Sequence, residues 1–185
     1  TVLLTSSRGG IIALLTAGSA LVIWRWRHWW RLGVAAAAMA LGVVLIISQS
    51  SGRLAGDALR SDLWRSAAAV FADQPVLGAG PGMFGRALRD YRDPAGADDR
   101  MATAHNLYLN TAAELGIAGL LVGAALAGIL GRIWRQRWRS ADTPAERLRV
   151  EAVGAALLGV AAQSLFDTFT SPAVVSVFLV LIAFL

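Results

Sequence analysis

The chain has 185 residues, 56% of them hydrophobic, with mean hydropathy +0.57, a formal net charge of +5 and a pI near 11.2. That is too apolar for an ordinary soluble domain and fits an all-α, multi-pass membrane protein. There is no cysteine, and all 17 basic residues are arginine, which excludes disulfides, thiol nucleophiles, zinc–thiolate centres, P-loop lysines and Schiff-base chemistry.

In chain order, the first apolar run is Gly9 to Trp24. It extends back through Thr1 to Ser7 to reach the roughly 20 residues of a spanning helix. Arg25, Arg27 and Arg31 follow, interleaved with Trp24, Trp26, Trp29 and Trp30, as an interfacial aromatic belt with a basic cluster. Leu32 to Ile47 returns across the membrane. A long polar interval, Ser48 to Glu114, comes next. In it, Ser61 to Asp73 puts Leu63, Ala67, Val70 and Phe71 on one helical face suited to the membrane surface. Gln74-Pro75 ends that helix, Gly78-Ala79-Gly80-Pro81-Gly82 is a turn, and Met83 to Tyr91 is a second short helix, broken at Asp93-Pro94-Ala95-Gly96. His105 to Leu115 reads as a third helix leading into the membrane. Leu115 to Gly131 is the third span, ending in Arg132, Trp134, Arg135, Arg137, Trp138 and Arg139. Asp142-Thr143-Pro144 has the form of a helix start. Val150 to Phe166 is the fourth span, Asp167 to Pro172 a tight turn, and a fifth span begins at Ala173.

The organisation expected is about five spans in three parts. Residues 1–47 are two spans joined by a turn at 25–31, residues 48–114 are a long loop, and residues 115–185 are three spans with a turn at 132–149. The chain lacks an initiator Met and ends in an apolar run, so it is expected to be a piece of a longer protein with further N-terminal helices. The positive-inside rule sets sidedness. The turn Arg25 to Arg31 has three arginines and no acid, and Arg132 to Arg149 has six arginines against Asp142 and Glu146. The long interval has seven arginines but eight acids. The two short turns therefore face the cytoplasm, and the long interval and the Asp167 turn face out. Charge gathered beside apolar runs marks orientation in a bilayer, so the high pI implies no nucleic-acid partner.

Several short pieces then combine. They are Ser7-Arg8-Gly9 at the start of a span; Arg60 with Trp64; Pro75-Val76-Leu77-Gly78-Ala79-Gly80 followed by Phe84; Ala104-His105-Asn106 with Tyr108-Leu109; Glu114-Leu115-Gly116 with Gly119; and Ser164-Leu165-Phe166-Asp167 before Pro172. In this order and topology the chain resembles the O-antigen ligase and polymerase superfamily of bacterial envelope glycosyltransferases. The resemblance implies metal-independent glycosyl transfer, without a cofactor, on the outer face of the inner membrane. The donor implied is a glycan on undecaprenyl diphosphate. The acceptor is a sugar hydroxyl, on lipid A-core for a ligase or on a growing glycan for a polymerase; one branch of the superfamily glycosylates proteins instead.

His105 is the sharpest candidate. A sugar hydroxyl is a poor nucleophile, and imidazole titrates near neutrality, so a histidine can take its proton; the plain alternative is a histidine at a helix start. His28, in the Trp/Arg cluster, reads as structural. Arg8, just inside an apolar span, needs a partner. A guanidinium fork suits the diphosphate that leaves as the sugar bond breaks, and the alternative is snorkelling to headgroups. Arg60 matches the superfamily's loop arginine and takes the same role. Arg53, Arg65, Arg86, Arg89 and Arg92 read as solvated or as headgroup contacts. Asn106, Asn110 and Glu114 share one helical stripe: Asn106 would orient His105 or the acceptor, and Glu114 would pair with an arginine or mark the membrane boundary. Asp167 would reach an arginine or His105, or cap the last span. Trp64 and Tyr108 would stack on sugar or serve as interfacial anchors. Gly80-Pro81-Gly82-Met83-Phe84-Gly85 fits G-x-G-x-x-G but follows no strand, so it reads as a turn. Asp90, Asp93, Asp98 and Asp99 match no cation loop. The rivals are a transporter or flippase for lipid-linked glycans, which would carry broken helices with mid-membrane charges, and a membrane anchor.

Overall fold

The computed structural model describes residues 8–25, 42, 54–91, 103–168, 179 and 182–183. Their regular elements are helical: α1 Arg8–Arg25, α2 Leu54–Asp73, the short α3 Phe84–Ala87 continued by a 3₁₀ turn Leu88–Asp90, α4 Leu107–Arg139 and α5 Pro144–Gln163. The all-α expectation therefore holds for the described residues. The predicted second and fifth spans fall outside them, apart from Gly42, Leu179, Ile182 and Ala183, as do His28, most of the first Trp/Arg belt and Asp93, Asp98 and Asp99. The chain divides into two compact units. One holds 1–50, 128–163 and 169–185; the other holds 51–127 and 164–168.

In the first unit α1 packs along α5. Small residues make the contact. A Cβ on Gly159 would lie 3.0 Å from the Ala13 carbonyl oxygen and 3.4 Å from the Ala17 Cβ. Close approach through Gly and Ala is how helices associate where lipid removes the hydrophobic drive. The helix start read at Asp142-Thr143-Pro144 is a capping box. Thr143 Oγ1 accepts from the Glu146 N–H at 3.2 Å, and Glu146 Oε2 accepts from the N–H groups of Thr143 and Asp142, both at 3.2 Å. Those bonds, first the Thr143 N–H, hold the Glu146 carboxyl below its usual range. Pro144 follows at the first helical position, where its missing N–H costs nothing.

In the second unit Leu63, Ala67 and Val70 do share one face of α2, as the periodicity predicts. That face does not lie on the membrane: it builds a protein core with Phe84, Leu88, Ala104 and Ala113, each at most 1% exposed. The periodicity marks an apolar stripe without saying what covers it. The Tyr91 hydroxyl donates to Asp73, tying the end of α2 to the 3₁₀ turn, and this bond raises the Tyr91 pKa.

The helix expected to lead into the third span and the span itself run on as α4, 33 residues in two helical stretches joined across non-helical backbone at Gly116. Among the described residues it is the one helix long and apolar enough to cross a membrane; Gly9–Trp24 is apolar but shorter. Past its break at Gly116, α4 is roughly 35 Å long at about 1.5 Å per residue, enough for a hydrocarbon core of about 30 Å. Leu121, Val122, Leu126 and Ile129 are all more than half exposed there.

Candidate functional site

The second unit gathers most of the candidate residues, and its frame is a break in α4. Gly116 has φ 63° and ψ −158°, open mainly to glycine. In an unbroken helix the N–H groups of Ile117 and Ala118 would bond the carbonyls of Ala113 and Glu114. Here all four groups turn to the 75–80 segment. Ala79 N–H donates to Ala113 O at 2.8 Å and Gly80 N–H to Glu114 O at 2.9 Å; Ile117 N–H donates to Pro75 O at 2.7 Å and Ala118 N–H to Val76 O at 3.2 Å. The break thus leaves none of these four peptide groups without a partner. The approach leaves no space for side chains. A Cβ on Gly78 (φ 68°) would fall 2.3 Å from the Glu114 carbonyl carbon, and one on Gly116 would fall 2.4 Å from the Val76 carbonyl. The pieces Pro75 to Gly80 and Glu114-Leu115-Gly116 are thus two halves of one backbone clamp.

Glu114 completes it. Its carboxylate accepts from the Gly82 N–H at 3.1 Å and the Phe84 N–H at 3.2 Å, so it pins the glycine turn and the start of α3. The sequence left Glu114 to an arginine or the membrane boundary; it is bound to backbone donors. The same bonds explain why the G-x-G-x-x-G run is a turn. Two of the N–H groups that a phosphate would need already hold a carboxylate.

His105 precedes α4 in the left-handed region, with φ 48°. That conformation costs a non-glycine residue about 1–2 kcal/mol, and such residues persist where the surroundings over-determine them, often at functional sites. The surroundings here do so. Asn110 Oδ1 accepts from the Ala104 N–H at 3.0 Å, the fully buried Ala104 methyl anchors in the core, and Leu107 N–H donates to the Ser164 carbonyl at 2.8 Å. Asn106, 6% exposed, caps α4: its Oδ1 accepts from the Leu109 N–H at 3.0 Å. Asn106 thus fixes the histidine's backbone.

Asp167 reaches His105, one of the partners the sequence left open. Its Oδ1 lies 3.8 Å from His105 Nδ1, an ion-pair distance longer than a hydrogen bond, and also accepts from the Thr168 N–H at 2.8 Å. Both side chains stay open to solvent, 38% and 51% exposed. The residues lie far apart in sequence, and the Leu107–Ser164 bond brings their segments together.

Arg60 and Trp64 sit one helical turn apart on α2, both half-buried. Arg60 forms no ion pair among the described residues, and the Trp64 indole N–H is buried without a hydrogen-bond partner. Tyr108 is 42% exposed. Arg8 opens α1 in the other unit, and its side chain lies outside the described residues. Beside the clamp runs a shallow apolar groove lined by Leu77, Pro81, Leu115, Ala118, Gly119 and Val122. The sequence reading missed the break at Gly116 and the Asn110 bond. A glycine inside a helical pattern was the available signal for the first; nothing local marked the second.

The second unit thus brings a half-open histidine–aspartate pair to the start of a broken helix that is long and apolar enough to cross a membrane. The O-antigen ligase family model matches residues 1–124, which include His105, Arg60 and both halves of the clamp. The chain belongs to the O-antigen ligase family. Its function is, broadly, of the O-antigen ligase type, in polysaccharide biosynthesis. No curated protein matches the chain.

Proposed function

We propose that this chain transfers a glycan from undecaprenyl diphosphate to a sugar hydroxyl, with inversion and without a metal, at the outer face of a bacterial inner membrane that it crosses about five times. The observation that carries this is His105, held at φ 48° by bonds to its neighbours, with Asp167 at 3.8 Å from Nδ1. Closed from 3.8 Å to hydrogen-bond distance when substrate binds, the carboxylate would hold a proton on Nδ1 and leave Nε2 to accept one. The acceptor O–H gives its proton to Nε2 as its oxygen attacks the anomeric carbon. The bond from that carbon to the diphosphate oxygen breaks on the opposite face. The lipid diphosphate leaves with the electron pair, and the guanidinium of Arg60 stabilises its charge; the family resemblance gives Arg8 a diphosphate-binding role as well. Trp64 and Tyr108 offer aromatic faces to sugar, and the apolar groove offers a surface to the carrier's isoprenoid chain. The acceptor is lipid A-core or a growing glycan.

The test is single-turnover transfer by the full-length protein at matched membrane levels. His105→Ala is expected to lose about 10²–10⁴-fold in rate, with insertion unchanged, whereas His28→Ala keeps wild-type activity. Equal rates for His105→Ala and wild type remove His105 from the reaction. A glycan transporter would tolerate both substitutions; the polar residues gathered at one end of α4 favour the enzyme.

A further inference from the structure

We propose that the Arg132–Arg149 turn is a binding surface for the anionic headgroups of phospholipids. This rests on α4 lying in a bilayer and not on glycan transfer. At the end of α4, Arg132, Arg135 and Arg139 fall at positions i, i+3 and i+7, one stripe of the helix. Trp134 and Trp138 form a different stripe, fixed inward. The Trp134 ring lies 4.8 Å from that of Trp24 and 6.3 Å from that of Trp138. Its indole N–H donates to the Val150 carbonyl at 2.9 Å, and that of Trp138 donates to Glu151 at 3.4 Å. Locking the aromatic stripe leaves the three arginines exposed. Arg147 joins them from α5, its guanidinium carbon 5.4 Å from the centre of the Trp138 ring.

The nearby acids do not neutralise this cluster. The Glu146 carboxylate stays charged in the capping box, and the arginine whose charge acts on it is Arg149, outside these four. Glu151 is 2% exposed and faces Trp138. Asp142 is exposed, and none of the four arginines forms an ion pair among the described residues. The stripe begins where the apolar stretch of α4 ends, which sets the guanidiniums at headgroup depth. A planar fork at that depth matches a phosphodiester, and each cation there adds to the attraction for anionic lipid.

The test uses the full-length protein in phosphatidylcholine nanodiscs with spin-labelled phosphatidylglycerol or spin-labelled phosphatidylcholine at equal mole fraction. Electron paramagnetic resonance reads the motionally restricted share of each. The expected result is a preference of about fivefold or more for phosphatidylglycerol. It weakens as salt is raised and falls near parity in R132Q/R135Q/R139Q. Equal restriction of the two lipids by the wild type overturns the proposal, as does a preference that salt leaves unchanged. An equal loss in R86Q/R89Q also overturns it, because that would make the preference a property of overall charge. The salt series needs no variant and stands whether or not the triple substitution folds.

Discussion

The two units hold their helices by different means. Around α1 and α5, order comes from side chains: a Thr/Glu capping box, glycine and alanine at the helix contact, and a run of tryptophans along one seam. Around the Gly116 break, order comes from backbone. Four peptide groups released by the break are each taken up by a neighbouring loop, and a carboxylate holds two more. A seam built from side chains tolerates adjustment, because a ring or an aliphatic chain can shift. A seam built from peptide groups does not, because one added methyl meets main chain. The His105 segment lies in the second unit, where two asparagine side chains and the hydrogen bond between the Leu107 and Ser164 peptide groups add to that backbone seam.

The largest expected effect breaks that seam directly. Gly116→Ala puts a Cβ 2.4 Å from the Val76 carbonyl at φ 63°. That φ/ψ combination, essentially glycine's alone, costs another residue about 1–3 kcal/mol, and opening the clamp loses its hydrogen bonds at about 0.5–1.5 kcal/mol each. Gly123→Ala, with nothing within 4 Å, should be neutral or stabilising by up to about 1 kcal/mol. Hydrogen exchange at the Ala79 and Gly80 amides reads the difference; unchanged protection in Gly116→Ala would remove the clamp.

The matching test of the other seam is Gly154→Ala. Its Cβ would meet the Trp134 indole nitrogen at 2.3 Å, so the ring must turn and give up its bond to Val150. The loss should be about 1–2 kcal/mol, smaller than at Gly116 because a ring moves more easily than a peptide. Equal losses at Gly154 and Gly116 would refute the distinction drawn between the units.

Asp167→Asn sharpens the reading of the site. One ion pair acting in the transition state corresponds to a rate loss of about tenfold. It should lower kcat with little change in KM if Asp167 acts through His105. A rise in KM with kcat intact would instead make Asp167 a substrate contact.

The smallest effect is at the start of α5. The Glu146 carboxyl is held low, first by the Thr143 N–H. A carboxyl depressed in the folded state adds stability above its unfolded pKa, and that contribution is lost as pH falls through the folded value. The protection of the Asp142 and Thr143 amides should therefore decline as pH falls through and below about 4.5, and Glu146→Gln should abolish that pH dependence. Thr143→Ala should cost about 0.5–2 kcal/mol at any pH. A decline of equal size in Glu146→Gln would assign the titration elsewhere.

What the sequence determined by itself is local in origin. Hydropathy and charge placement gave an all-helical membrane-type chain, the 63/67/70 stripe gave α2 its apolar face, and Asp142-Thr143-Pro144 gave a helix start. Each depends on residues within a few turns of one another. Ordered motifs gave the family as well, because their spacing survives without knowledge of the contacts behind it. The tertiary structure decided what those motifs are for. Glu114-Leu115-Gly116 and Pro75 to Gly80 pair only because a helix opens and a distant loop fills the opening. Asn106 became a cap through a bond within its own turn, whereas Glu114 became a backbone clamp and Asp167 the neighbour of His105 through hydrogen bonds between segments far apart in the chain. The apolar stripe of α2 met Phe84 and Leu88 instead of lipid for the same reason. Periodicity states which face is apolar, and only the packing of the whole unit states what lies against it.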